Sequence, residues 1–123
     1  LVRYGFTDDD WKMVRSEIRS ILVDVAASEG TITYSDLVSG VTSAKLEANQ
    51  YALFEMLGEI SWEESKAGRG MLTAVVISKD SNLPGPGFFG VAEELGYTIT
   101  DRDLFWVEEL RKVHSSWVKD KRR

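Results

Sequence analysis

Apolar residues recur at steps of three and four from Trp11 through Val14, Ile18, Ile21, Leu22 and Val25. Lys12, Arg15, Glu17, Arg19 and Asp24 fall between them. That period predicts an amphipathic helix with one buried face. Its start is marked by Thr7-Asp8-Asp9-Asp10, a capping hydroxyl followed by an acidic first turn that suits the helix dipole. Gly30 is placed to close it as a left-handed cap. Thr31-Ile32-Thr33-Tyr34 is β-branched and aromatic and reads as a short strand. Ser35-Asp36 then caps a short helix through Val38, stopped at Gly40. Thr42-Ser43 is expected to open a third helix running to Ala67, with Leu46, Ala52 or Leu53, Phe54, Leu57 and Ile60 facing inward. Gly58 interrupts this pattern at a cost of about 1 kcal/mol relative to alanine, marking a kink or a close approach by another backbone.

The pattern then changes. Met71 to Ile77 shows no polar alternation, so a strand covered on both faces is expected, paired with Thr31–Tyr34. Lys79 to Gly87 is loop by composition, with two Pro-Gly steps. Phe88 to Leu95 reads as a short helix closed by Gly96, and Tyr97-Thr98-Ile99 as extended chain. Thr100-Asp101-Arg102-Asp103 repeats the capped acidic start and opens a long helix through Trp106, Val107, Leu110, Val113 and Trp117. These elements predict an α+β, mainly α fold. The expected form is a single domain over residues 1–123, winged-helix-like, with a small two- or three-stranded sheet packed by long N- and C-terminal helices.

Composition narrows the chemistry. With 123 residues and 43% hydrophobic content the chain is long enough to bury a core. It contains no cysteine, which excludes disulfides, thiolate nucleophiles and Cys-ligated metals; a reducing, cytoplasmic location is expected. No apolar run reaches the roughly 18 residues of a membrane span, and the N-terminus shows no secretory pattern. The net charge of −5 opposes broad binding to phosphate backbones. The acidic excess lies before residue 101, while Lys119-Asp120-Lys121-Arg122-Arg123 forms a basic tail. A contact between that tail and nucleic acid is held as the lesser alternative to a solvated chain end.

The stretches Leu57-Gly58-Glu59-Ile60-Ser61-Trp62-Glu63-Glu64, GRGMLTAVVISKD at 68–80 and PGPGFFGVAEELG at 84–96, preceded by ITYSDL at 32–37, together resemble a family of small bacterial proteins without an assigned activity. The resemblance covers residues 32–96 and rests on motif order. It implies a shared small α/β domain and supplies no substrate, cofactor or catalytic residue. Residues 31–37, TITYSDL, also resemble the strand-to-helix entry of alkyltransferase-like DNA-binding domains, whose active-site cysteine has no counterpart here. In a winged helix the third helix reads DNA. Here that helix and its exit carry Glu47, Glu55, Glu59, Glu63 and Glu64 against Lys45, Lys66 and Arg69, which would press carboxylates toward phosphates.

Glu59, Glu63 and Glu64 are the densest carboxylate group. Glu59 and Glu63 share a helix face at a spacing of four. Such a pair serves as acid and base or holds a divalent cation; the alternative is a solvated face paired with Lys66 or Arg69. His114 is the sole histidine and reads as a boundary residue of the last helix. The Pro84–Gly87 loop enters a helix whose free amides suit an anion, although it lacks phosphate-loop spacing. Phe88 and Phe89 are adjacent, so either both enter the core or one is left as an anchor for a partner. Trp62 and Trp117 lie near charged helix ends and raise the same question.

No nucleophile, base and oxyanion site assemble, and no metal shell or cofactor motif is evident. The reading is a non-enzymatic binding or regulatory module acting through protein contacts or self-association. Its candidate surface is Glu59, Trp62, Glu63, Glu64, Arg69, Lys79, Pro86, Gly87, Phe88 and Phe89. One alternative is a small hydrolase or nuclease-like enzyme using Glu59, Glu63 or Glu64 with Arg69 or Lys79. Another is a winged-helix DNA-binding regulator.

Overall fold

A computed structural model describes residues 2–47 and 50–118; the basic tail 119–123 lies outside them. Among the described residues the architecture is α+β and mainly α, with five α-helices and two two-stranded sheets. A hairpin, β1 (Val2–Arg3) and β2 (Phe6–Thr7), precedes α1 (Asp8–Ala27). Then come β3 (Ile32–Thr33), α2 (Tyr34–Ser39), α3 (Tyr51–Lys66), a 3₁₀ turn (Leu72–Val75), β4 (Val76–Ile77), α4 (Pro86–Glu94) and α5 (Arg102–Trp117). No helix among them is long and apolar enough to cross a membrane.

The first helix forms as its pattern predicts. Thr7 accepts from the Asp10 amide, and Trp11, Val14, Ile18, Leu22 and Ala26 are buried. Its end differs in detail. The left-handed residue is Glu29 (φ 58°) rather than Gly30. The Glu29 amide bonds Ala26 O and the Gly30 amide bonds Val25 O, a Schellman closure shifted one residue early. Gly68 (φ 84°) and Gly96 (φ 103°) occupy the corresponding left-handed positions after α3 and α4.

Two starts also move. Thr33, not Ser35, caps α2 by accepting from the Asp36 amide, so Tyr34 belongs to the helix. Asp101 rather than Thr100 caps α5, accepting from the Leu104 amide. The larger correction concerns Thr42-Ser43, which opens no helix. Both amides and both hydroxyls of this pair bond the Glu17 carboxylate of α1. The Ser43 hydroxyl, the Thr42 amide and hydroxyl and the Ser43 amide together hold that carboxyl down at about 2. Residues that suit a helix cap suit a carboxylate clamp for the same reason: hydroxyls and free amides converge on one acceptor.

Met71–Val76 is buried and Ile77 half-buried, but only Val76–Ile77 is strand. It pairs with β3 as expected, in parallel, with Ile32 opposite Val76 and Thr33 opposite Ile77. The preceding four residues coil into a turn packed against α1, α3 and α5. An extended chain there would need backbone partners on both sides. The turn instead receives them from side chains and from itself. The Met71 amide donates to Glu109 Oε2 at 2.8 Å, the Thr73 amide to Ser61 Oγ at 3.2 Å and the Ala74 amide to Met71 O at 2.9 Å. Ala74 O accepts from Trp106 Nε1 at 2.7 Å. Gly70 (φ 85°) permits the entry, since a Cβ there would stand 3.1 Å from Val113 Cγ2 of α5.

The order helix, strand, helix, helix, strand is present, and each sheet holds two strands. The segment after β4 closes as a compact turn, Ser78 amide to Leu83 O and Asn82 amide to Ser78 O, and then enters α4. Tyr97–Ile99 joins no strand.

Candidate functional site

Helix α3 meets different neighbours on different faces. Leu53, Met56, Leu57 and Ile60 enter the core. A second stripe, Tyr51, Phe54, Gly58 and Trp62, follows helical spacing of three, four and four and turns toward α4. Tyr51 is 76% exposed, Phe54 43% and Trp62 39%. Phe54, expected inside, thus belongs to the surface. Its ring meets Tyr34 edge-on, with centroids 6.1 Å apart.

Between this stripe and α4 runs a groove. Its outer part has a volume of about 570 Å³, with Tyr4, Tyr51, Phe54 and Trp62 as aromatic walls, Gly58 in the floor, and Gly87 and Val91 opposite. Glu55, Glu59, Glu63 and Glu94 complete the lining. Phe54, Gly58, Gly87 and Val91 also line a deeper, more enclosed cavity of about 310 Å³. Tyr34, Leu57, Thr73, Ser78 and Gly85 to Phe88 form the rest of its wall.

Local chemistry holds the walls in place. The Gly85 amide at the start of α4 donates to Tyr34 Oη at 2.8 Å. Burial raises the Tyr34 phenol above its ordinary range despite that bond. A Cβ on Gly85 would stand 3.2 Å from the same oxygen, so glycine permits the approach. Pro86 occupies the first helical turn, where its missing N–H costs nothing. Tyr4 reaches the groove from the β1–β2 turn. Its φ of 52° and the 86° of Gly5 are the paired positive values of a type I′ hairpin. The Tyr4 hydroxyl donates to Glu55 Oε1 at 3.2 Å.

The carboxylates of α3 are largely committed to cations. Arg3 Nη1 donates to Glu55 Oε2 at 3.0 Å and to Glu59 Oε2 at 2.9 Å. Glu59 Oε1 also accepts from Trp11 Nε1 at 3.0 Å. Arg15 donates to Glu63 at 2.9 Å and lies 3.6 Å from Glu59. Glu64 turns inward and is only 3% exposed. It accepts from Arg19 Nε at 3.0 Å and from Arg69 Nε at 2.6 Å and Nη2 at 3.2 Å. Burial pushes the Glu64 carboxyl up, and the two arginines outweigh it, holding it below the ordinary range.

The sequence-predicted surface therefore divides. Glu59, Trp62, Glu63 and Gly87 line the outer groove, and Pro86, Gly87 and Phe88 line the deeper cavity. Buried Glu64 and partly exposed Arg69 form a pair apart from both. Lys79 is exposed on the turn after β4 and lines neither. Phe88 and Phe89 are both buried, so neither is a projecting anchor. Their rings meet at 5.1 Å, and both approach Phe105. His114 is half-buried, with Nε2 at 2.9 Å from Gly30 O. No group of three or more His, Asp or Glu suited to a metal occurs among the described residues.

Sequence reasoning missed Tyr4, Tyr34, Tyr51, Phe54, Glu55, Val91 and Glu94 as site residues. One signal for them was legible: the stripe Tyr51-Phe54-Gly58-Trp62 has its own helical period, distinct from the core stripe beside it. The chain matches no family model, and no curated protein or solved structure is significantly similar to it.

Proposed function

We propose that the protein is a non-enzymatic binding module that docks a partner polypeptide in the groove between α3 and α4. The observation carrying this reading is the aromatic stripe of α3, left exposed directly above an enclosed apolar cavity. Exposed apolar patches that adjoin a well-formed pocket are what anchoring side chains of a partner fill. A catalytic reading gains nothing from the geometry. Glu59, Glu63 and Glu64 do not face one space with Arg69 and Lys79, and each is held by an arginine. An acid–base pair needs two carboxylates whose environments drive their protonation apart. The exposed face of α3 likewise presents Glu55, Glu59 and Glu63, the wrong charge for a groove of DNA.

Site-specific photocrosslinking tests the reading. A photoreactive residue at Tyr51 should capture a defined protein that the same residue at Asp24, on exposed α1 surface, does not. The captured protein, once purified, should bind the native chain and lose about ten-fold in affinity with Trp62→Ala. Equal capture from both positions, or unchanged affinity with Trp62→Ala, would contradict it.

A further inference from the structure

We infer that the occupant of this groove is a cationic amphipathic helix rather than a second copy of the chain. The inference rests on the docking role proposed for the groove and names its partner's chemistry. Three observations carry it.

The first is charge. Glu55, Glu59, Glu63 and Glu94 line the outer groove, and neither lysine nor arginine lines it among the described residues. Arg3 and Arg15 pair with the first three, so the four carboxylates outnumber these two cations, and Lys66 sits 5.1 Å from the Trp62 ring. Glu94 belongs to the opposite wall, on α4, and is exposed. A helix lying between the walls thus meets carboxylates on both sides of its apolar face. Two copies facing each other through this groove would bring the two acidic rims together, which opposes self-association there.

The second is length. From Tyr51 to Trp62 the groove follows α3 for about 16 Å, or about three helical turns. The third is shape. The deeper cavity opens at Phe54 and Gly58, midway along that path, where a single apolar anchor of a bound helix enters. Gly87 on the facing wall has no neighbouring atom within 4 Å of where a Cβ would stand, so a partner backbone approaches α4 closely. A helix with apolar anchors along one face and lysine or arginine at its flanks satisfies all three conditions.

Two synthetic helical peptides of about 14 residues test this. One carries leucine anchors with lysine elsewhere, and the other has the same leucines with glutamate elsewhere. Binding is read by chemical shifts, the Trp62 indole among them, with the oligomeric state measured in parallel. The Leu/Lys peptide should bind about ten-fold more tightly at low salt, and its advantage should shrink as salt rises from about 0.05 to about 0.5 M. Gly87→Leu, which fills open space without disturbing the core, should abolish the binding, and Glu94→Lys should weaken it about three-fold. If the Leu/Glu peptide binds as well or better, and Gly87→Leu removes that binding, the cationic inference falls while the docking groove stands. Binding of neither peptide, or binding that ignores Gly87→Leu, overturns both. A dimer lost on Gly87→Leu overturns the choice of occupant.

Discussion

Helix α3 brings glutamates into two different settings, a closed junction beside Trp117 of α5 and an open groove beside its own Trp62. At the junction, buried Glu64 binds Arg19 and Arg69, whose guanidiniums lie 5.5 and 5.6 Å from the Trp117 ring. At the groove, Trp62 and Phe54 remain substantially exposed and the cavity beside them is unfilled by the chain. The residue types are nearly the same. What differs is whether another element of the fold covers them. The α5 helix closes the junction, whereas α4 approaches α3 at Gly58 through Val91 and leaves open space at Gly87. Arginines pair with the glutamates in both settings, so a carboxylate cluster marks a structural clamp where it is also buried and a rim where it is not.

The strongest way to break this comparison is at the support beneath both regions. Glu109→Ala leaves the buried Met71 amide and Lys112 without their carboxylate, and should cost about 3 kcal/mol in urea denaturation. A loss below about 1 kcal/mol would show that the 3₁₀ turn does not depend on that bond. At the junction, Glu64→Ala should cost about 2 kcal/mol, less than a fully buried pair because both arginines are partly exposed. An unchanged denaturation midpoint would reduce the junction to a surface contact.

A pH measurement sharpens the distinction between clamps and rims. The Glu17 carboxyl, held near 2 against an ordinary 4.5, adds stability above its unfolded value. That contribution disappears as pH falls from about 4.5 toward 2. Glu17→Gln should therefore lower stability at neutral pH and flatten the acid limb over that window. An acid limb identical to the native one would remove the clamp at Thr42-Ser43. The smallest stability effect belongs to the groove: Tyr51→Ser should shift stability by no more than about 0.5 kcal/mol, since its ring covers little of the core. A larger loss would place it in the structural set.

Much of the fold was legible because helix periodicity is redundant over many turns. Trp11 to Val25 and the closure at Gly96 need no tertiary information. Thr42-Ser43 and the Leu72–Val75 turn were not legible, for a common reason. Hydroxyl-bearing residues and short apolar runs are compatible with more than one local structure, and distant partners choose between them. Glu17 makes the first a clamp; Ser61, Trp106 and Glu109 make the second a turn. The candidate site divided in the same way. Spacing and local motifs point to Glu59, Trp62, Glu63 and Gly87, while the spacing of Phe54 fits two stripes at once and places it in the core. The space left unfilled beside Phe54 is a tertiary outcome that leaves its ring partly exposed.

The central claim is that binding occurs at the open side of α3. An amide chemical-shift map of the chain titrated with the Leu/Lys peptide tests it most directly. Perturbations should concentrate in residues 51–63 and 85–94, with α1 and the C-terminal half of α5 unchanged. A map centred on Arg19, Arg69 and Trp117, or one spread evenly over the surface, would contradict it.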